Sequence, residues 1–98
     1  MRDIRIGAAQ FEHRNGDKAY NLSRIGALVR RAVERGAEIV SFHECSIPGY
    51  TWLQTLDTSA LAAIGEQVPD GPSTRALVRI AREHRVIVMA GLIENAPD

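Results

Sequence analysis

Apolar and polar positions alternate between two rhythms along this chain, and the change of rhythm marks out its elements. Residues 4–11, IRIGAAQF, form a β-type run that ends in the polar cluster His13 to Asp17. Gly16-Asp17 is a turn signal, and Asp17 is placed to cap a helix start. From Lys18 to Arg35 the rhythm becomes helical: Leu22, Ile25, Val29, Ala32 and Val33 recur at three- and four-residue steps. Gly36 can close that helix in a left-handed conformation. Glu38 to Phe42 is then a short apolar run, and Ile39, Val40 and Phe42 suit a strand buried between layers on both faces. Ser46 to Gly71 is a long irregular stretch with one short helix expected at Ser59 to Ile64. Pro72 suits a first helical turn. The second long helix runs to about His84, with Leu77, Val78, Ile80 and Ala81 on its inner side. Arg85 occupies the point where a helix-ending glycine would be comfortable. Val86 to Ile93, VIVMAGLI, reads as a third strand.

The order β-α-β-α-β implies an α/β fold with parallel neighbouring strands and right-handed crossovers. Sheets of this kind bind ligands outside the carboxyl ends of their strands. The segment VSFHECSIPGY, residues 40–50, places Glu44 just past such an end. Two readings of Glu44 follow. One is a surface acid in a loop, paired with an arginine. The other is a general base held by a rigid strand end. Tyr50 and Trp52 follow the Pro48-Gly49 turn, either packing beneath it or forming a pocket wall beside Glu44.

Composition narrows the function. The chain has 98 residues, 45% hydrophobic and 24% charged, which is a globular and not a disordered balance. Twelve basic and twelve acidic side chains cancel, and no basic stripe interleaves with aromatics, so no nucleic-acid partner is expected. No stretch is apolar and long enough to span a bilayer, and the N-terminus lacks the apolar core of a signal peptide. With a single cysteine, Cys45, no intrachain disulfide can form. These features favour a cytoplasmic protein. Glycines do not fall into GxGxxG or GxxxxGK[ST], so no nucleotide cofactor is expected. His43, Glu44 and Cys45 lack a second cluster at ligand spacing, so no metal is expected either. Cys45 reads as a small buried hydrophobe or as a thiol nucleophile. If the strand ran on through it, Cys45 would share a face with His43.

An ordered set of residues resembles the N-terminal third of the nitrilase superfamily of carbon–nitrogen hydrolases. It comprises Ala9-Gln10-Phe11, Arg35-Gly36-Ala37, Ile39-Val40-Ser41-Phe42-His43-Glu44, Ile47-Pro48-Gly49-Tyr50, Asp70-Gly71-Pro72-Ser73-Thr74 and Ala90-Gly91-Leu92-Ile93-Glu94. The resemblance implies that residues 1–98 are part of one hydrolase domain, a partial α-β-β-α sandwich. It also implies a Glu–Lys–Cys triad acting on small amides or nitriles, with Glu44 as the base. His43 stands where the family usually has proline. Lys18 is the only lysine and opens the first helix, while Cys45 adjoins Glu44, so neither matches a triad position. The chain alone is therefore expected to be inactive. A non-catalytic truncated homologue, acting as a binding or structural module, is the alternative. Without the second sheet a face of Ile, Val and Leu would be bare, so a homo-oligomer or a covering partner chain is expected.

Overall fold

A computed structural model describes residues 2–96 of the chain. Three strands, β1 (Ile6–Ala9), β2 (Ile39–Phe42) and β3 (Ile87–Met89), alternate with helices α1 (Lys18–Glu34), α2 (Thr58–Ile64) and α3 (Pro72–His84). A single 3₁₀ turn at Leu53–Thr55 precedes α2. The sheet order is β1-β2-β3 and both pairings are parallel. The α/β class and the β-α-β-α-β order expected from the sequence are thus present, with α2 as a short insertion.

Local chemistry explains the helix ends. The Asp17 side chain accepts the Tyr20 N–H at 3.0 Å and opens α1. Gly36, at φ +88°, turns the chain so that the Gly36 and Ala37 N–H groups reach the carbonyls of Val33 and Ala32. Asp57 caps α2 in the same way, accepting the Ala60 N–H at 2.8 Å. Pro72 starts α3, and Arg85 ends it at φ 53°, ψ 51°, a left-handed position that glycine would occupy at lower cost.

Two successive crossovers move along the sheet in one direction, which puts α1 and α3 on the same face. Register then decides which side chains are sealed. Gly7, Val40 and Val88 lie in one row across the three strands, and Val40 is fully buried. That row meets Ile25 and Val29 of α1, with Leu77 and Ile80 of α3 packed around them. At Gly7 an added Cβ would lie 3.2 Å from Cβ of Ala32, so glycine lets α1 sit close to β1. The neighbouring row, Ile6, Ile39 and Ile87, points the other way, and no element among the described residues covers it. Ile6 is 62% exposed, Ile87 59% and Met89 56%. Among the described residues one face of β2 is covered and the other is open, the bare face expected where no second sheet is present. The open face carries Ile and Met where Ile, Val and Leu were expected.

The regular part of β3 is shorter than the apolar run 86–93. Past Met89 the backbone turns to other partners. The Gly91 carbonyl accepts the Ile47 N–H at 3.1 Å. Farther on, Glu66 N–H donates to the Ile93 carbonyl at 2.9 Å and Asn95 N–H to the Glu66 carbonyl at 2.8 Å, a parallel bridge supplied by a loop.

Candidate functional site

β2 ends at Phe42, and the chain then folds into a tight turn over residues 44–48. Cys45 adopts φ 49° and its carbonyl accepts the Gly49 N–H at 3.0 Å. This bend is why the strand does not run on, so the shared face for His43 and Cys45 that an extended strand would give does not arise. Glu44 sits at the carboxyl rim of the sheet with its side chain exposed.

The turn is fastened from three sides. From β3's continuation comes the Gly91 carbonyl. The approach there is so close that a Cβ on Gly91 would lie 2.5 Å from the Cys45 nitrogen. From α1 comes Asn21, fully buried, whose Nδ2 donates to the Ile47 carbonyl at 2.8 Å. The same amide donates to the Arg14 carbonyl and accepts the Arg14 N–H, both at 2.8 Å, tying the 10–15 segment to the turn. From the segment before α1, Gly16 N–H donates to the Pro48 carbonyl at 2.9 Å, which also accepts the Trp52 indole N–H at 3.0 Å.

Glu44 opens onto a groove of about 410 Å³ whose other walls are Gln10, Phe11, His13, His43, Tyr50 and Thr51. Of the residues singled out from sequence, Glu44 and Tyr50 therefore share one groove, and Tyr50 is half exposed. Trp52 is not part of the lining. Its ring packs against Gly16, where a Cβ would approach to 3.3 Å, and it buttresses the turn from behind. A second hollow of about 370 Å³, lined by residues 8–10 and 41–43, adjoins on the open face of the sheet.

His43 is wedged between Phe11 (ring centroids 4.9 Å, edge-on) and His13 (5.5 Å, stacked at 28°). Both of its ring nitrogens are buried without a hydrogen-bond partner. Burial, and then the neighbouring His13, push its pKa below the ordinary imidazole value, so the ring is neutral at pH 7. Cys45 is pushed the other way: burial first, then the Glu44 carboxylate, raise its thiol pKa. It stays protonated at neutral pH, a poor state for a nucleophile.

Lys18 is occupied elsewhere. Its Nζ donates to Glu66 Oε2 at 2.9 Å and to the Ile64 carbonyl at 2.6 Å. Buried Glu66 also accepts the Ser73 N–H at 2.7 Å and the Ser73 hydroxyl. Burial alone would raise the Glu66 carboxyl. The Ser73 hydroxyl, Lys18 and the Ser73 N–H outweigh it, and the pKa falls below the usual value. This clamp joins the start of α1, the loop after α2 and the start of α3. Among the described residues, no group of three or more His, Cys, Asp or Glu converges as a metal site would require.

Asn21 and Glu66 escaped the sequence reading, and His13 entered it only within the polar cluster that follows the first strand. Asn21 had a readable signal: it falls four residues before Ile25 and eight before Val29, in line with the buried stripe of α1.

The family model for carbon–nitrogen hydrolases matches residues 5–98. An arylacetonitrilase of Fusarium vanettenii is 30% identical over 99 residues, covering 96% of this chain and 29% of its own length. An aliphatic nitrilase of Rhodococcus rhodochrous is 27% identical over 101 residues, covering 94% of this chain and 27% of its own length. The omega-amidase NIT2 of Mus musculus is 36% identical over 76 residues, covering 78% of this chain and 25% of its own length. The chain thus spans under a third of the length of each of these relatives.

Proposed function

Since the chain belongs to the carbon–nitrogen hydrolase family, we propose that it supplies the general base, Glu44, of a thiol-dependent hydrolase acting on small amides or nitriles. The observation that carries this reading is the position of Glu44. It stands at the carboxyl rim of a parallel sheet, beside a groove, on a turn fastened from three sides. A base must hold its lone pair within hydrogen-bond reach of the proton it takes, and a pinned turn meets that demand better than a free loop.

In the proposed reaction Glu44 accepts the proton of a cysteine thiol supplied by sequence outside residues 1–98. The thiolate attacks the amide or nitrile carbon, forming a C–S bond. For an amide the C–N bond then breaks, and the leaving nitrogen departs as ammonia with the proton that Glu44 returns; for a nitrile the adduct is a thioimidate, which first adds one water and then loses ammonia in the same way. A water molecule, deprotonated by Glu44, hydrolyses the thioester to the acid and frees the thiol. A lysine, also from outside this segment, balances the charge of the tetrahedral intermediate. Neither Lys18, held by Glu66, nor the protonated Cys45 is suited to these roles. The 98 residues alone are therefore inactive, and they form one part of a larger domain.

The test is ammonia release by the intact protein. Glu44→Gln keeps the shape but cannot take the proton, so turnover should fall by about 10²–10⁴-fold. Activity retained by that variant would sink the assignment. The bare row Ile6, Ile39 and Ile87 favours a second reading, in which the segment serves as a binding or structural module. Under it the intact protein would show no turnover with or without Glu44.

A further inference from the structure

Two imidazoles in the groove have no part in that chemistry, yet they sit between the Glu44 turn and the loop at Tyr50. His13 Nε2 lies 3.2 Å from the Tyr50 backbone nitrogen, whose N–H points at it. The same Nε2 lies 3.4 Å from Thr51 Oγ1. The Thr51 hydroxyl proton has its own partner, Asn15 Oδ1 at 3.3 Å. The Tyr50 N–H therefore needs a lone pair on Nε2, which fixes the His13 proton on Nδ1. Gly49, at φ +91°, approaches so closely that an added Cβ would lie 2.9 Å from His13 Cδ2. There is no slack between His13 and the loop it holds. On its other side His13 stacks on His43, the residue before Glu44. His43 spends neither ring nitrogen on a hydrogen bond and serves as a flat apolar ring against Phe11.

We propose that His13 and His43 are positioning residues, a stacked pair of neutral imidazoles that locks the Glu44 turn and the Tyr50 loop onto the segment leaving β1, and that lets go on protonation. The inference rests on the reading of Glu44 as base where it concerns turnover, and on geometry alone where it concerns the lock. Protonating His13 puts an N–H against the Tyr50 N–H. Two donors then face each other, and the new proton finds Thr51 Oγ1 only if the loop moves. Protonating His43 places a charge in a site with no acceptor, stacked on another imidazole. Of the groups lining the groove, Glu44 is the one acid and Tyr50 the other titratable side chain; Cys45 follows Glu44 on the turn. The lock thus holds while both rings are neutral and opens when either takes a proton.

The experiment is amide hydrogen exchange at Tyr50 in the intact protein, read by NMR from pH 5 to 8, after correction for the intrinsic pH dependence of exchange. His13→Ala should speed exchange at pH 7.5 by about tenfold, the worth of one such hydrogen bond. His13→Gln, which keeps an acceptor and cannot titrate, should bring the rate back and remove its acid acceleration. His43→Phe keeps the ring without the charge. It should raise the ratio of kcat/KM at pH 5.5 to that at pH 7.5 by about threefold or more over the parent protein. Equal Tyr50 exchange in the parent and His13→Ala proteins overturns the proposal, and so does an acid limb that His43→Phe leaves unmoved. Should Glu44→Gln keep turnover, the base assignment fails, and Tyr50 exchange still decides whether the lock exists.

Discussion

Asn21 offers the sharpest test of how the Glu44 turn is held. It is fully buried and makes three hydrogen bonds of 2.8 Å, to the Arg14 N–H, the Arg14 carbonyl and the Ile47 carbonyl. Asn21→Ala removes all three. At about 1 kcal/mol of net stabilisation each, the loss is about 3 kcal/mol. The Ile47 contact is buried, so its carbonyl would keep its full desolvation penalty, while the Arg14 groups are only partly buried and regain some water. A range of about 2–4 kcal/mol covers both effects. Asn21→Asp is the more pointed variant. It has the same shape but sets a carboxylate oxygen where Nδ2 stood, against two carbonyl oxygens, so it should be no more stable than the alanine variant. The assay is urea unfolding at one fixed protein concentration, followed by the fluorescence of Trp52. That indole is the only one in the chain, and it donates to Pro48 within the turn. With a slope of about 1–1.5 kcal/mol per molar, the midpoint should drop by about 2 M. A midpoint within about 0.5 M of the parent protein for either variant would refute the account, because it would mean the turn does not depend on this amide.

Other expectations follow from the same geometry. Gly91→Ala drives a Cβ to 2.5 Å from the Cys45 nitrogen, where backbone must give, and should cost about 1–3 kcal/mol in the same assay; an unchanged midpoint would contradict the close approach. The Glu66 carboxyl has a folded pKa below its ordinary value, so it binds fewer protons folded than unfolded, and its stabilisation is present above the unfolded pKa and lost as pH falls through the folded one. The stability gap between the parent protein and Glu66→Gln should accordingly be widest above about pH 5 and shrink in acid, and a gap that stays constant with pH would refute this. For His43 the folded pKa is also depressed, so stability should decline as pH drops below the ordinary imidazole value of about 6.5, a decline that His43→Phe should reduce. The bare row of Ile6, Ile39 and Ile87 should make the isolated chain associate; sedimentation should show oligomers that Ile6→Lys combined with Ile87→Lys disperses, and a monomeric parent chain would contradict it.

Much of the fold was legible because it is written locally. The α1 stripe from Leu22 to Val33, the cap at Asp17 and the stop at Gly36 depend only on neighbours in sequence, and the helix lies within a residue of its expected span. α3 and its left-handed terminus at Arg85 were legible for the same reason. What stayed hidden depends on long-range contact. The apolar run 86–93 carries no sign that Gly91 will turn its carbonyl to Ile47 and cut the ladder short. Glu66 reads as an ordinary loop acid until Lys18, 48 positions away, is brought to it. At the site, strand-end logic located Glu44 and the Pro-Gly turn placed Tyr50 nearby. Trp52, two residues on, points back to Pro48, a direction that alternation of apolar residues cannot supply.

The loop-supplied bridge at Glu66 makes the two edges of the sheet unequal. At β3, the rim end of the outer edge is already taken, because residues 93–95 exchange hydrogen bonds with Glu66. At β1, a groove of about 380 Å³ runs beside residues 5–10 and is walled by Leu28, Arg31, Ala32 and Arg35. A strand added along the full height of the sheet meets an obstacle on one side and open space on the other. Among the described residues, β1 thus keeps its outer edge clear along its whole length, while the run that continues β3 has a loop partner at its rim end.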